Sequence, residues 1–179
     1  NNSGHVRIYG VTSSNTWSQL GEDLDGEMID DRSGYSVSLS SDGQKIAVGA
    51  VKNDDNGDRS GHVKVYEWDT SSEVWDQLGA SIPGEAAYDW SGWSVALSDD
   101  GERVAISSTY NDDNGTNAGH VRVFQWNASS ESWEQFGDDI DGAESEDESG
   151  WSIDLSSGGD VLAIGSPGND DNGADSGHV

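Results

Sequence analysis

Trp93-Ser94-Val95-Ala96-Leu97-Ser98-Asp99-Asp100-Gly101-Glu102-Arg103-Val104-Ala105-Ile106-Ser107-Ser108 is the stretch that decides the fold class. Trp93, Val95 and Leu97 alternate with Ser94, Ala96 and Ser98, and Val104 and Ile106 alternate with Ala105 and Ser107. This is the two-residue period of strands, and Asp99-Asp100-Gly101 between the runs is hairpin chemistry. The two predicted strands, 93–98 and 103–108, share one bulky face and one face of Ala and Ser. A small face of that kind accepts large side chains from a neighbouring sheet, the packing expected of stacked, similar sheets.

Working outward, the pattern recurs. Gly-His-Val begins at Gly4, Gly61, Gly119 and Gly177, at spacings of 57, 58 and 58 residues. Trp17, Trp75 and Trp133 keep the same register, as do Gly34, Gly92 and Gly150 and the pentapeptide Asn-Asp-Asp-Asn-Gly from Asn53, Asn111 and Asn169. The chain therefore divides into repeats over 3–59, 60–117 and 118–175, with 176–179 opening a fourth. Within one repeat, 62–68 and 74–78 read as two further strands, and a loop containing Pro83-Gly84 follows them. No helical periodicity outlasts a turn. The expected fold is all-β, with tandem four-stranded antiparallel blades of the β-propeller type. Three such blades do not close a ring, so further copies of the repeat, in the same chain or another, are the expected partners.

Composition sets limits. Thirty-five acidic against 8 basic side chains give the 179 residues a formal charge of -27. That disfavours nucleic acid and anionic membranes as partners. The absence of cysteine removes disulfides, thiolate metal sites and cysteine nucleophiles. No apolar run is long enough to span a bilayer, and none resembles a signal peptide. Eight Trp, five Tyr and two Phe at regular intervals supply buryable area that disordered acidic chains lack. High acidity with few lysines also fits a protein adapted to salt, a reading that needs no ligand.

The repeats resemble the FG-GAP repeat, the blade motif of integrin α-subunit propellers and of many extracellular microbial proteins. Ser33-Gly34-Tyr35-Ser36-Val37, Ser91-Gly92-Trp93-Ser94-Val95 and Ser149-Gly150-Trp151-Ser152-Ile153 fill its Phe-Gly position. Val48-Gly49-Ala50-Val51 and Ile164-Gly165-Ser166-Pro167 fill the Gly-Ala-Pro position, and Ile106-Ser107-Ser108-Thr109 is degenerate there. Gly61-His62-Val63-Lys64-Val65-Tyr66 and its copies match the Gly-x-Val-x-Val-Tyr strand. The resemblance implies an extracellular or cell-surface propeller concerned with adhesion. The family's calcium loop does not carry over, because Ser41-Asp42-Gly43, Asp99-Asp100-Gly101 and Ser157-Gly158-Gly159 are hairpin turns too short for a multi-oxygen cage. Gly61-His62 followed by Trp68-Asp69 has the wrong spacing for WD repeats.

The candidate metal ligands lie elsewhere. Asn53, Asp54, Asp55 and Asn56, with Asn111, Asp112, Asp113 and Asn114 and then Asn169, Asp170, Asp171 and Asn172, form loops of oxygen donors closed by a glycine. Asp58 and Asp175 extend the first and third copies. Two readings stand: weak Ca²⁺ binding shared with the acidic loops around Asp25–Asp31, Glu85–Asp89 and Asp141–Glu148, or an Asx-turn that solves the same connection each time. Acidic loops facing one another repel unless cations intervene. His5, His62, His120 and His178 recur once per repeat, which points to a structural role. Trp17, Trp75 and Trp133, with Trp68 and Trp126, read as blade-to-blade core or as stacking platforms for sugars. Asn1, Asn114 and Asn127 head glycosylation sequons. No catalytic motif is present. The expected function is a non-enzymatic extracellular adhesion, scaffold or filament-forming protein. A carbohydrate-binding module is the alternative, and an enzyme with its active site elsewhere in a parent chain is a third reading.

Overall fold

The computed structural model describes residues 2–174 and 176–179. Asn1, which heads the first sequon, and Asp175 lie outside the described residues. The described chain is all β, with sixteen short strands and antiparallel ladders.

Two sheets are complete. The first runs β5 (Ser33–Leu39), β6 (Lys45–Ala50), β7 (His62–Asp69) and β8 (Val74–Gln77) in sequence order. A short β9 (Ile82–Pro83) pairs with the start of β7, so β8 and β9 form one interrupted outer edge. The second sheet repeats this plan with β10 (Val95–Leu97), β11 (Arg103–Ser108), β12 (His120–Asn127), β13 (Ser132–Gln135) and β14 (Ile140–Asp141). Before them, β1 (His5–Val6) pairs with β4 (Leu24–Asp25) and β2 (Tyr9–Val11) with β3 (Trp17–Gln19), the outer half of a blade. After them, β15 (Ser152–Leu155) and β16 (Leu162–Gly165) form an inner half. The 58-residue period is kept, but each sheet takes its inner strands from one sequence repeat and its outer strands from the next.

Two local expectations differ from the structure. Pro83, expected in a loop, ends a two-residue strand opposite His62. Proline is tolerated there because β9 is an outer edge and its missing N–H leaves no ladder bond open. Ladder pairing in the second sheet also begins at Val95, not Trp93.

The sheets stack as the alternation predicts. Val95, Leu97, Val104, Ile106 and Phe124 on the bulky face of the second sheet pack against Ala47, Val63, Val65 and Ile82 of the first. The small face of the second sheet, with Ala96, Ala105 and Val121, receives Leu155, Ile153, Leu162 and Ile164. Val6, Ile8, Leu20 and Leu24 cover Ile46 and Val48 in the same manner. Gly49 on β6 lies so close to the next sheet that a Cβ would stand 2.3 Å from the carbonyl oxygen of Gly92. Ser36 donates its hydroxyl to that same oxygen at 2.7 Å.

Candidate metal centre

The three Asn-Asp-Asp-Asn-Gly loops share one geometry, and it comes from their own side chains. The first Asn closes an Asx-turn: the Oδ1 atoms of Asn53, Asn111 and Asn169 accept from the backbone N–H of Asp55, Asp113 and Asp171 at 2.9, 3.0 and 3.2 Å. Asp54 and Asp112 accept from the N–H groups of Arg59 and Asn117. Asn56 and Asn114 donate to the carbonyls of Gly84 and Gly142 at 2.7 Å. Gly57, Gly115 and Gly173 take φ of 133°, 139° and 129°, which a side chain rarely adopts. The four side chains of a loop therefore do not converge on one point. Three of them in the first copy are held by hydrogen bonds within the rim, and all four in the second, where Asp113 Oδ2 accepts from the Asn111 amide at 3.4 Å. Asn169 follows the same pattern, Asp170 has a partner of its own, and Asn172 is exposed.

The acidic loop opposite meets this turn through a neutral amide. Asp31, Asp89 and Asp147 are buried. The amide nitrogens of Asn53, Asn111 and Asn169 donate to them at 3.5, 3.4 and 3.2 Å, always 22 residues away. Each carboxylate also accepts backbone N–H groups at the start of its own loop, from Met28, Ala86 and the pair Ala143 and Glu144. Burial pushes the Asp89 carboxyl up from the ordinary range, against the lowering effect of the Ala86 bond. At this contact a neutral amide, from Asn53, Asn111 or Asn169, bridges the turn and the acidic loop opposite. The pairing follows from nothing in the local sequence except the constant offset.

The second Asp of the loop points elsewhere, toward the histidine that opens the next strand. Asp55 Oδ2 lies 3.4 Å from His62 Nδ1. In the second sheet Glu85, Asp113, His120 and Asp139 bring one ligand atom each to within 4.8 Å of one another. His62 and His120 are buried, whereas His5 and His178 are exposed. Desolvation, then the charge of Arg122, depresses the His120 imidazole to about 4, so the ring is neutral at physiological pH. Of the metal candidates read from sequence only Asp113 belongs to this group. Glu85 comes from the acidic loop opposite and His120 from the repeated Gly-His-Val strand, whereas Asp139 is missed in the sequence, where the alignment of repeats, which sets it against Ser81, is the one signal for it.

The repeated tryptophans divide. Trp75 and Trp133 donate Nε1–H to the carbonyls of Leu20 and Leu78 on the preceding sheet, at 3.0 and 2.9 Å, and pack tilted against Trp68 and Trp126. They are seam residues, and Trp17 is exposed. A different aromatic group forms where the first strands meet. Tyr35, Trp93 and Trp151 follow one another with ring centroids 5.0 and 4.8 Å apart, and Trp90 and Tyr110 pack against Trp93. Asn114 uses its amide against the neighbouring loop, and Asn127 at the end of β12 donates to Glu134. No helix of the described residues is long and apolar enough to cross a membrane, which says nothing of membrane-crossing strands.

Comparison with known proteins agrees with this architecture. A model described as the FG-GAP repeat matches residues 25–66 and 83–124, each segment running from a rim loop through three strands. No curated protein matches the chain. Among solved structures, a Bacteroides uniformis protein provisionally assigned as a 6-phosphogluconolactonase superposes with a TM-score of 0.58 at 14% identity. The alignment covers 90% of this chain and 41% of that one, so the chain spans about two fifths of its length and the likeness speaks for the fold alone. With these sheets in this order, the motif stands at the same place in both complete blades, and the two stretches 25–66 and 83–124 match the FG-GAP repeat.

Proposed function

We propose that the chain is a non-enzymatic extracellular scaffold or adhesion module whose sheets are made to be continued by further copies of the repeat. One observation carries this reading. Val37 and Leu39 on β5 are each 51% exposed, whereas Val95 and Leu97, their counterparts one repeat later, are each 7% exposed beneath the small face of the preceding sheet. The β5 face therefore has the shape and chemistry to take one more small face of the same kind. Sedimentation velocity tests this directly. The chain should associate with rising concentration, and Val37→Lys with Leu39→Lys should leave it monomeric. A wild-type chain that stays monomeric at all concentrations would remove the support.

Calcium belongs to the same reading as a weak rim ligand. Asp54, Asp55, Asp112, Asp113, Asp170 and Asp171 place carboxylates on one rim, in keeping with affinities of about 10⁻⁴ to 10⁻³ M. The name of the Bacteroides protein raises lactone hydrolysis as a check on the non-enzymatic part. Turnover of a sugar lactone by this chain above the buffer rate would overturn it.

A carbohydrate-binding module is the second reading, now favoured by a different set of rings. Tyr35 and Trp151 expose about two fifths of their surface at the two ends of the Tyr35, Trp93, Trp151 row. Stepped rings of this kind suit stacking against successive sugars. A glycan array with hits lost in Trp151→Ala would support it, and an array without hits would count against it.

A further inference from the structure

The group formed by Glu85, Asp113, His120 and Asp139 has features that a solvated acidic patch lacks. Glu85 stands on the loop after β9, at the edge of the first sheet, while His120 opens β12 of the second sheet and Asp113 and Asp139 lie on loops between that sheet's strands. His120, the first residue of β12, is 0% exposed, and neither ring nitrogen has a hydrogen-bond partner. A neutral imidazole has one donor and one acceptor to satisfy, and burying both unpaired is costly. His120 Nδ1 lies 3.8 Å from Glu85 Oε2, beyond hydrogen-bond reach. Donors bound to one four-coordinate ion with bonds of about 2.0–2.2 Å lie roughly 3.4 Å from each other. Four donor atoms within 4.8 Å of one another reach that spacing by side-chain movements of about 1 Å.

We propose that these four side chains bind a first-row divalent transition ion, with Zn²⁺ the best fit, and that the ion ties the first sheet to the second. The donor set is one imidazole nitrogen and three carboxylate oxygens. Calcium and magnesium prefer all-oxygen shells of six or more ligands, whereas imidazole with carboxylates suits zinc and its neighbours. Arg122 is the competing cation. Its Nη1 lies 3.3 Å from Glu85 Oε1 and its Nη2 donates to the Pro83 carbonyl at 2.8 Å. Held so, Arg122 orients Glu85 and leaves Oε2 for the ion, and its charge offsets the third carboxylate.

The molecule also carries an internal control. One repeat earlier the matching residues are Glu27, Asp55, His62 and Ser81, so a ligand is missing where Asp139 stands. There Lys64 pairs with Glu27 at 2.5 Å in place of Arg122 with Glu85. One such four-donor group is found among the described residues. This inference rests on that geometry and not on the scaffold reading.

Calorimetric titration of the whole chain with Zn²⁺, repeated with Co²⁺ for its visible absorption, provides the test. One tight Zn²⁺ per chain is expected, undisturbed by millimolar Ca²⁺. Asp139→Ser, which copies the sister site and gives up only the exposed bond from Gln135 Nε2, should weaken binding at least about tenfold and leave the metal-free protein folded. His120→Gln should abolish the Co²⁺ bands, and Ser81→Asp should add a second site. Should His120→Gln fail to fold, the Asp139 and Ser81 variants decide alone. Zinc binding that ignores both of these substitutions, yields to millimolar Ca²⁺, or gives no heat would overturn the proposal.

Discussion

Trp75 spans the seam between two sheets, packing its ring among Val6, Ile8, Ile46 and Val48 while its indole N–H reaches the carbonyl of Leu20. Packing and hydrogen bond can be separated by substitution. Trp75→Phe keeps most of the packing and gives up the bond, for a loss of about 1 kcal/mol. Trp75→Ala leaves a cavity as well, for a loss of about 3–5 kcal/mol. Urea unfolding of both variants checks the split: no loss in Trp75→Phe would mean that the bond carries nothing, and equal losses that the packing carries nothing. Gly49 limits the same seam differently. Its missing Cβ makes room for the Gly92 carbonyl, so Gly49→Ala forces the two sheets apart and should cost about 1–3 kcal/mol. Ser107 occupies the corresponding place one repeat later, and there it is Gly150 that must lack a side chain, since a Cβ on it would stand 2.6 Å from the Ser107 Cβ.

The hairpin between β7 and β8 shows how one carboxylate organises an element. Asp69 accepts from the hydroxyls of Ser71 and Ser72 and from the Ser71 N–H, all at 2.7–2.8 Å. Those bonds, the Ser71 hydroxyl first, hold its carboxyl down to about 2. A carboxyl depressed in the fold stabilises it above the unfolded value of 3.8, and the contribution disappears as pH falls through about 2. Carboxyl carbon shifts followed by NMR should show Asp69 titrating near 2, and Ser71→Ala with Ser72→Ala should return it toward the usual range. Elements of this kind were legible in the sequence because their signals are local. The run 103–108 was read as a strand and is β11, and the Asn-Asp-Asp-Asn-Gly turn announced itself by composition. What the sequence did not disclose is pairing across segments. Asp31, Asp89 and Asp147 sat among many acidic residues with nothing to mark them as buried partners of an asparagine. His120 read as structural because it recurs, while its three carboxylates arrive from loops that are far apart in the chain. The offset between repeat and sheet was hidden for the same reason, since a period fixes the length of a unit and not which strands close it.

For the molecule as a whole, the decisive quantity is a formal charge of -27 on 179 residues, with the carboxylates concentrated on rim loops. Repulsion among them opposes the compact state, and salt screens exposed charges with a Debye length of about 10 Å at 0.1 M and about 3 Å at 1 M. The melting temperature should therefore rise with NaCl, and most of the rise should come below a few tenths molar. Divalent ions separate screening from binding when the ionic strength is held constant. Calcium at millimolar concentration should raise the melting temperature further, by mass action on the folded state, and magnesium should do so less because it gives up its water reluctantly. Equal effects of the two ions would assign the rim to general screening and withdraw calcium from the proposed function, while leaving the stacking of sheets untouched. Zinc is expected to act at lower concentration than either, and its increment should disappear in Asp139→Ser while the calcium increment persists. That contrast distinguishes an ion held between two sheets by His120 from ions gathered loosely by an acidic rim.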